Sequence, residues 1–184
     1  LLAAGIIKSS TFDLWSMIKQ WNRRRVYNDT VSEGYSPFVH DSGVKKIKVK
    51  EVKKNKDQLI KEEKAAELRR DITRWIDQRN ISAATDVYLR LMEIDTPEVL
   101  PSQQLLDIAN QLASESKHSQ AAKAYEKFLR HYSSYEYIEQ VQLMLGLLYC
   151  RYLDNPDAAR EHLEKACSKL SDPGQLAMCK QELE

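Results

Sequence analysis

Three stretches decide the fold: SAATDVYLRLMEID at 82–95, SQAAKAYEKFLRHY at 119–132 and PDAAREHLEKACSK at 156–169. Aligned on one another, they bring Ala84, Ala121 and Ala159 into register, at intervals of 37 and 38 residues. Four residues later each carries a large side chain, Tyr88, Tyr125 or Leu163. Residues four apart share one face of a helix. A small residue lets two helices approach, and a large one fills the gap between neighbouring hairpins. A period in this range is the mark of a helical-hairpin array. The reading is all-α.

Outward from these stretches, the helical pattern begins at Asp57 and holds to the end of the sequence. Breaks fall near Arg79-Asn80, Thr96-Pro97, Pro101, Ser116-Lys117, Ser133-Ser134, Asp154-Asn155-Pro156 and Asp172-Pro173-Gly174. Several breaks offer capping chemistry. Ser82 or Asn80, Asn155 before Pro156, and Asp172 before Pro173 each place a short polar side chain where the free N–H groups of a helix start need an acceptor. Composition agrees. Charged residues make up 30% of the 184, while Gly and Pro number only 5 each, too few for the turns of a β-sandwich. In GQLAMCKQELE at 174–184, Leu176, Cys179 and Leu183 follow helical spacing, as expected of a helix that closes the end of an array.

At these residues the chain resembles the tetratricopeptide (TPR) family. The match includes Leu145-Gly146, Tyr149, Ala159, Leu163 and Ala166 in the last repeat, and Leu105, Ile108-Ala109, Ala121 and Tyr125 in the middle one. The first repeat keeps Ala84 and Tyr88, but its first helix, with Trp75 and Ile76, departs from the pattern. The spacing exceeds the family's usual length, and Ser133 and Ser171 stand where Pro would close the unit. The resemblance implies a TPR-like α-solenoid over 57–184 that binds another protein or peptide. It also implies a concave groove lined by the first helices, at Gln103, Leu106, Asn110, Ala113, Gln140, Leu143 and Leu147. The family's carboxylate clamp uses Asn with several cations. Asn110 fits one clamp position, whereas Leu106 and Leu143 occupy places where cations would stand. The expected ligand is therefore an apolar helix or extended segment from a partner, or the chain's own N-terminal helix.

No catalytic signature accompanies this scaffold. Catalysis needs an activated nucleophile, paired carboxylates in a cleft, a metal or a phosphate-cradling loop, and GxSxG, GxxxxGK[ST], HExxH and CxxC are all missing from the sequence. The charges of KEEKAAELRR, Glu63 and Glu67 near Arg70, read as solvated helix pairs. His40, His118, His131 and His162 lack ligand spacing, so no metal or cofactor is expected. Cys150, Cys167 and Cys179 are odd in number and fall at apolar phases, which reads as buried, reduced thiols in a reducing compartment.

The N-terminal third differs in character. Residues 1–60 carry 12 Lys/Arg against 6 Asp/Glu, and residues 61–184 carry 16 against 21. The run LLAAGII at 1–7 is far short of the roughly 20 residues that cross a hydrocarbon core. It reads as the end of a truncated membrane helix or as a short apolar N-terminus. In FDLWSMIKQWNRRRVY, Phe12, Trp15, Ile18 and Trp21 share helical spacing, and Arg23, Arg24 and Arg25 follow. Trp at an interface with Arg beyond it is the pattern of the cytoplasmic edge of a membrane, so 1–27 is expected to be a juxtamembrane-like segment. The alternative is a helix packing its aromatics on the array, as in a soluble assembly factor. Residues 28–56, with KKIKVKEVKKNK, read as a basic flexible linker that could meet an anionic membrane surface. Nucleic acid is disfavoured, because no aromatics interleave the lysines. The apolar run followed by FDLWSMIKQWNRRR is also similar to the exit from the last membrane helix in some bacterial rhomboid-family intramembrane proteases. That resemblance implies a cytoplasmic tail without the family's catalytic Ser and His.

Overall fold

The computed structural model describes residues 56–94 and 99–184. The expectations for residues 1–55, including the contacts of Trp15, Trp21, Arg23, Arg24 and Arg25, and for the break at Thr96-Pro97, lie outside them. The described residues are all-α, with no strand among them. The helices are α1 (Lys56–Asp77), α2 (Ile81–Met92), α3 (Ser102–Ser114), α4 (His118–His131), α5 (Ile138–Arg151), α6 (Pro156–Cys167) and α7 (Pro173–Leu183).

Helices pack chiefly on their sequence neighbours, most closely as α1 with α2, α3 with α4 and α5 with α6. Loops of a few residues join the members of each pair, and short connections make antiparallel neighbours. Each of these pairs turns on a left-handed residue that is not glycine: Arg79 (φ 58°), Ser116 (φ 60°) and Asp154 (φ 47°). The amide of the next residue then reaches back to the preceding helix. Asn80 N–H donates to Trp75 O at 2.9 Å, Lys117 N–H to Leu112 O at 2.9 Å and Asn155 N–H to Tyr149 O at 3.1 Å. This is how a left-handed residue closes a helix end and satisfies its free carbonyls. Arg79, Ser116 and Asp154 are separated by the same 37 and 38 residues as the three alanines.

Helix starts follow the capping expectations. Asn80 accepts from Ala83 N–H at 3.1 Å, Asn155 from Ala158 N–H at 3.2 Å and Asp172 from Gln175 N–H at 3.0 Å. Asn80, not Ser82, is thus the first cap. Ser82 instead donates to Glu115 at 3.3 Å.

Ala84, Tyr88, Ala121, Tyr125, Ala159 and Leu163 are all buried. Tyr125 and Phe128 expose nothing, and side chains of this kind gain about 1.5–3 kcal/mol each from burial. Between α5 and α6 the approach at Gly146 is close. A Cβ on Gly146 would lie 2.7 Å from Leu163 Cγ, so only glycine fits there. Around Phe128, the rings of Tyr132 and Tyr135 sit 5.1 Å away centroid to centroid, and Tyr132 Oη donates to Leu100 O at 2.6 Å.

The cysteines overturn the expectation of buried, reduced thiols. Cys167, the last residue of α6, and Cys179 in α7 are joined in a disulfide with Cα atoms 6.0 Å apart, and Cys150 is exposed. The pairing follows from the turn at 168–172, which folds α7 back onto α6 and brings apolar positions on two helices face to face. Spacing rules of the CxxC kind carry no information about such a contact. On α7 the buried side chains are Met178 and Cys179, with Leu176 and Leu183 half-buried.

Candidate partner-binding surface

The helix packing determines what each expected groove residue can touch. Leu106, Leu143 and Leu147 are at most 1% exposed, and Ala113 is buried as well. Asn110 is also buried, and its Oδ1 accepts a hydrogen bond from Tyr125 Oη at 2.5 Å. That bond joins α3 to α4, and at 2% exposure the Asn110 amide is out of reach of a ligand's carboxylate. Gln103 is exposed and donates to Asp107 at 3.3 Å. Gln140 is half-buried, and its Oε1 is enclosed without a hydrogen-bond partner. Only the two glutamines of the seven therefore offer polar atoms near the surface. The apolar members contribute to packing inside the stack.

An open concavity lies one hairpin earlier. A cavity of about 600 Å³ runs along α1 and is lined by Ala66, Arg69, Arg70, Thr73, Arg74, Asp77 and Gln78. These positions recur every three to four residues, so they form one face of α1 next to the stripe of Ala65, Leu68 and Ile72 that packs into the core. At a rise of 1.5 Å per residue the lined face is about 18 Å long. Thr73 Oγ1 donates toward Gln104 Oε1 at 3.3 Å and Arg69 O at 3.2 Å, which ties this face to α3. Arg74 pairs with Asp71 at 2.8 Å and lies 5.9 Å from the Trp75 ring centroid.

Three guanidinium groups against one carboxylate make this lining cationic. Guanidinium groups present a planar fork of donors that matches carboxylates. The sequence reading assigned Arg70 to a solvated pair with Glu63 and Glu67. A better indication was present in the spacing: Arg70, Thr73, Arg74 and Asp77 share a face separate from the apolar stripe.

A second polar cluster joins α4, α5 and α6. Tyr149 Oη donates to Glu126, His162 Nδ1 lies 2.6 Å from Gln142 Oε1, and the Tyr149 and His162 rings stack at 5.8 Å. Burial, reinforced by the Glu126 carboxylate, pushes the Tyr149 phenol up to about 12. Burial holds the His162 imidazole below its ordinary value. Both groups are therefore neutral near pH 7 and act as interhelical hydrogen-bonding groups. Among the described residues, no group of three or more His, Cys, Asp or Glu is placed to hold a metal ion.

In comparisons with protein-family models, curated proteins and solved structures, nothing matches the chain.

Proposed function

We propose that the chain is a protein–protein interaction scaffold, built as a TPR-like hairpin array, that takes a carboxylate-bearing segment of a partner along the arginine face of α1. The open cavity lined by Arg69, Arg70 and Arg74 carries this reading, because an 18 Å strip of forked cations suits an extended or helical acidic peptide. Support for the array comes from two sets of positions with one interval. The left-handed turns Arg79, Ser116 and Asp154 repeat at the spacing of Ala84, Ala121 and Ala159.

The test places a photo-crosslinking residue at Ala66, beside the arginines, and a control at exposed Arg160. A partner captured at 66 and not at 160, whose purified form binds at least tenfold more weakly to R70E/R74E, supports the reading. Equal capture at both positions, or unchanged affinity in the charge-reversed variant, refutes it.

The scaffold is proposed to work at the cytoplasmic side of a membrane, tethered through Trp15, Trp21 and Arg23–Arg25. Among the described residues no helix is long and apolar enough to cross a membrane. Fractionation of the native protein tests the tether: retention in carbonate-washed membranes supports it, and full release into the soluble fraction rejects it.

A further inference from the structure

We propose that Cys167 and Cys179 form a reversible thiol–disulfide latch that sets how firmly the terminal helix α7 closes the end of the stack.

Helix α7 is weakly held by packing alone. It has 11 residues, of which only Met178 and Cys179 are buried. It rests mainly on α6 and more lightly on α5, where Arg151 pairs with Glu182. Ordering a segment of this length opposes docking at every residue, and two buried side chains offset only part of that. A covalent bond across a separation of 12 residues restricts the undocked state enough to favour the docked one by on the order of a hundredfold. The crosslink is therefore comparable in weight to the contacts it reinforces.

The two sulfurs have different access. Cys167 is half-buried at the C-terminal end of α6, whereas Cys179 is fully buried, its sulfur 3.1 Å from Leu163 O. In the reduced chain the Cys179 thiol has that carbonyl as an acceptor, so each time α7 docks the two sulfurs return within reach of one another. Cys167 is consequently the sulfur that small thiols and disulfides reach first.

With glutathione disulfide as oxidant, the Cys167 thiolate attacks one of its sulfurs and releases one glutathione thiolate. Cys179, losing its proton to water, then attacks the Cys167 sulfur of the mixed disulfide and releases the second. Two protein thiols and one glutathione disulfide become one protein disulfide and two glutathiones; reduction is the reverse. The helix C-terminus disfavours a thiolate at Cys167, which makes the exchange slow and the closed state persistent. Cys150 stays out of the pair. The residue is exposed overall, and partial burial of its thiol, reinforced by the Glu182 carboxylate 3.4 Å away, disfavours the thiolate.

The experiment equilibrates the full chain, wild-type and C150S, in glutathione buffers from fully reducing to fully oxidising. Non-reducing peptide mapping follows the bond, and hydrogen exchange of 173–183 follows the helix. The expected result is a reversible 167–179 linkage, with α7 amides exchanging 10- to 100-fold faster in the reduced form and α3 and α4 amides unchanged. C167S should exchange like the reduced wild type in either buffer. Failure of the linkage to form in fully oxidising buffer, or equal α7 exchange in the two states of the wild-type chain, overturns the proposal.

Discussion

Replacing Gly146 by Ala tests the close approach of α5 to α6. In an isolated helix the change would help, since Ala is favoured over Gly by about 1 kcal/mol. Here the new methyl would lie 2.7 Å and 2.8 Å from Leu163 Cγ and Cδ2, and 3.2 Å from the Leu163 backbone N. Leu163 is 1% exposed, so its side chain can yield only by displacing its packed neighbours. Overpacking of this kind costs about 1–3 kcal/mol, and a double clash with a fixed side chain places it near 3. The net expectation for G146A is a loss of about 2 kcal/mol, or roughly 6–8 °C in Tm for a unit of this size. L163A alone should cost about 2–5 kcal/mol through the cavity it leaves. In the L163A background the clash with Cγ and Cδ2 is gone, so adding G146A should raise stability by about 1 kcal/mol. Chemical denaturation of the four proteins would then give a coupling near 3 kcal/mol. A neutral or stabilising G146A in the wild-type background, or additive effects in the cycle, would refute the argument.

Removing the Tyr125 hydroxyl deletes a buried hydrogen bond to Asn110, so Y125F should lose about 0.5–1.5 kcal/mol in urea denaturation. Ser116 holds a left-handed conformation that costs a residue with a Cβ about 1–2 kcal/mol. S116G should therefore stabilise the chain by about 0.5–1 kcal/mol once the added freedom of the unfolded glycine, about 0.4–1 kcal/mol, is subtracted; an unchanged or lower Tm counts against it. Burial lowers His162 and His118 below their ordinary 6.5, so between the folded values and 6.5 the unfolded chain binds more protons. Stability is then flat above pH 6.5 and falls as the pH drops below it. H162Q should remove part of that slope and H118Q/H162Q most of it, as read from denaturation midpoints at pH 7.5 and 5.5.

Local chemistry was legible wherever the interaction is short in sequence. Asn80, Asn155 and Asp172 cap helices because a side chain and an amide three residues on are all the motif requires. Ala121 and Tyr125 are buried as their i, i+4 pairing implies. Reading failed where the packing partner lies on another helix. The TPR resemblance implies a groove at Leu106, Leu143 and Leu147, whereas these side chains are buried and the unbroken apolar run from Leu143 to Leu148 describes a helix enclosed on more than one side. The Cys167–Cys179 bond depends on how the 168–172 turn brings α7 back, which no local spacing encodes. The left-handed turns escaped for a different reason: without glycine at Arg79, Ser116 or Asp154, the usual marker of that conformation is missing.

Packing that runs from each helix to the next in sequence also bears on how the protein is made. A hairpin such as α3–α4 needs nothing from later residues to close, so it can form while the rest of the chain is still being synthesised. Contacts this local carry little loop-closure entropy and favour rapid folding. The apolar surface each hairpin leaves open is covered within about one further hairpin of synthesis, which shortens the interval in which a nascent chain can meet another and aggregate.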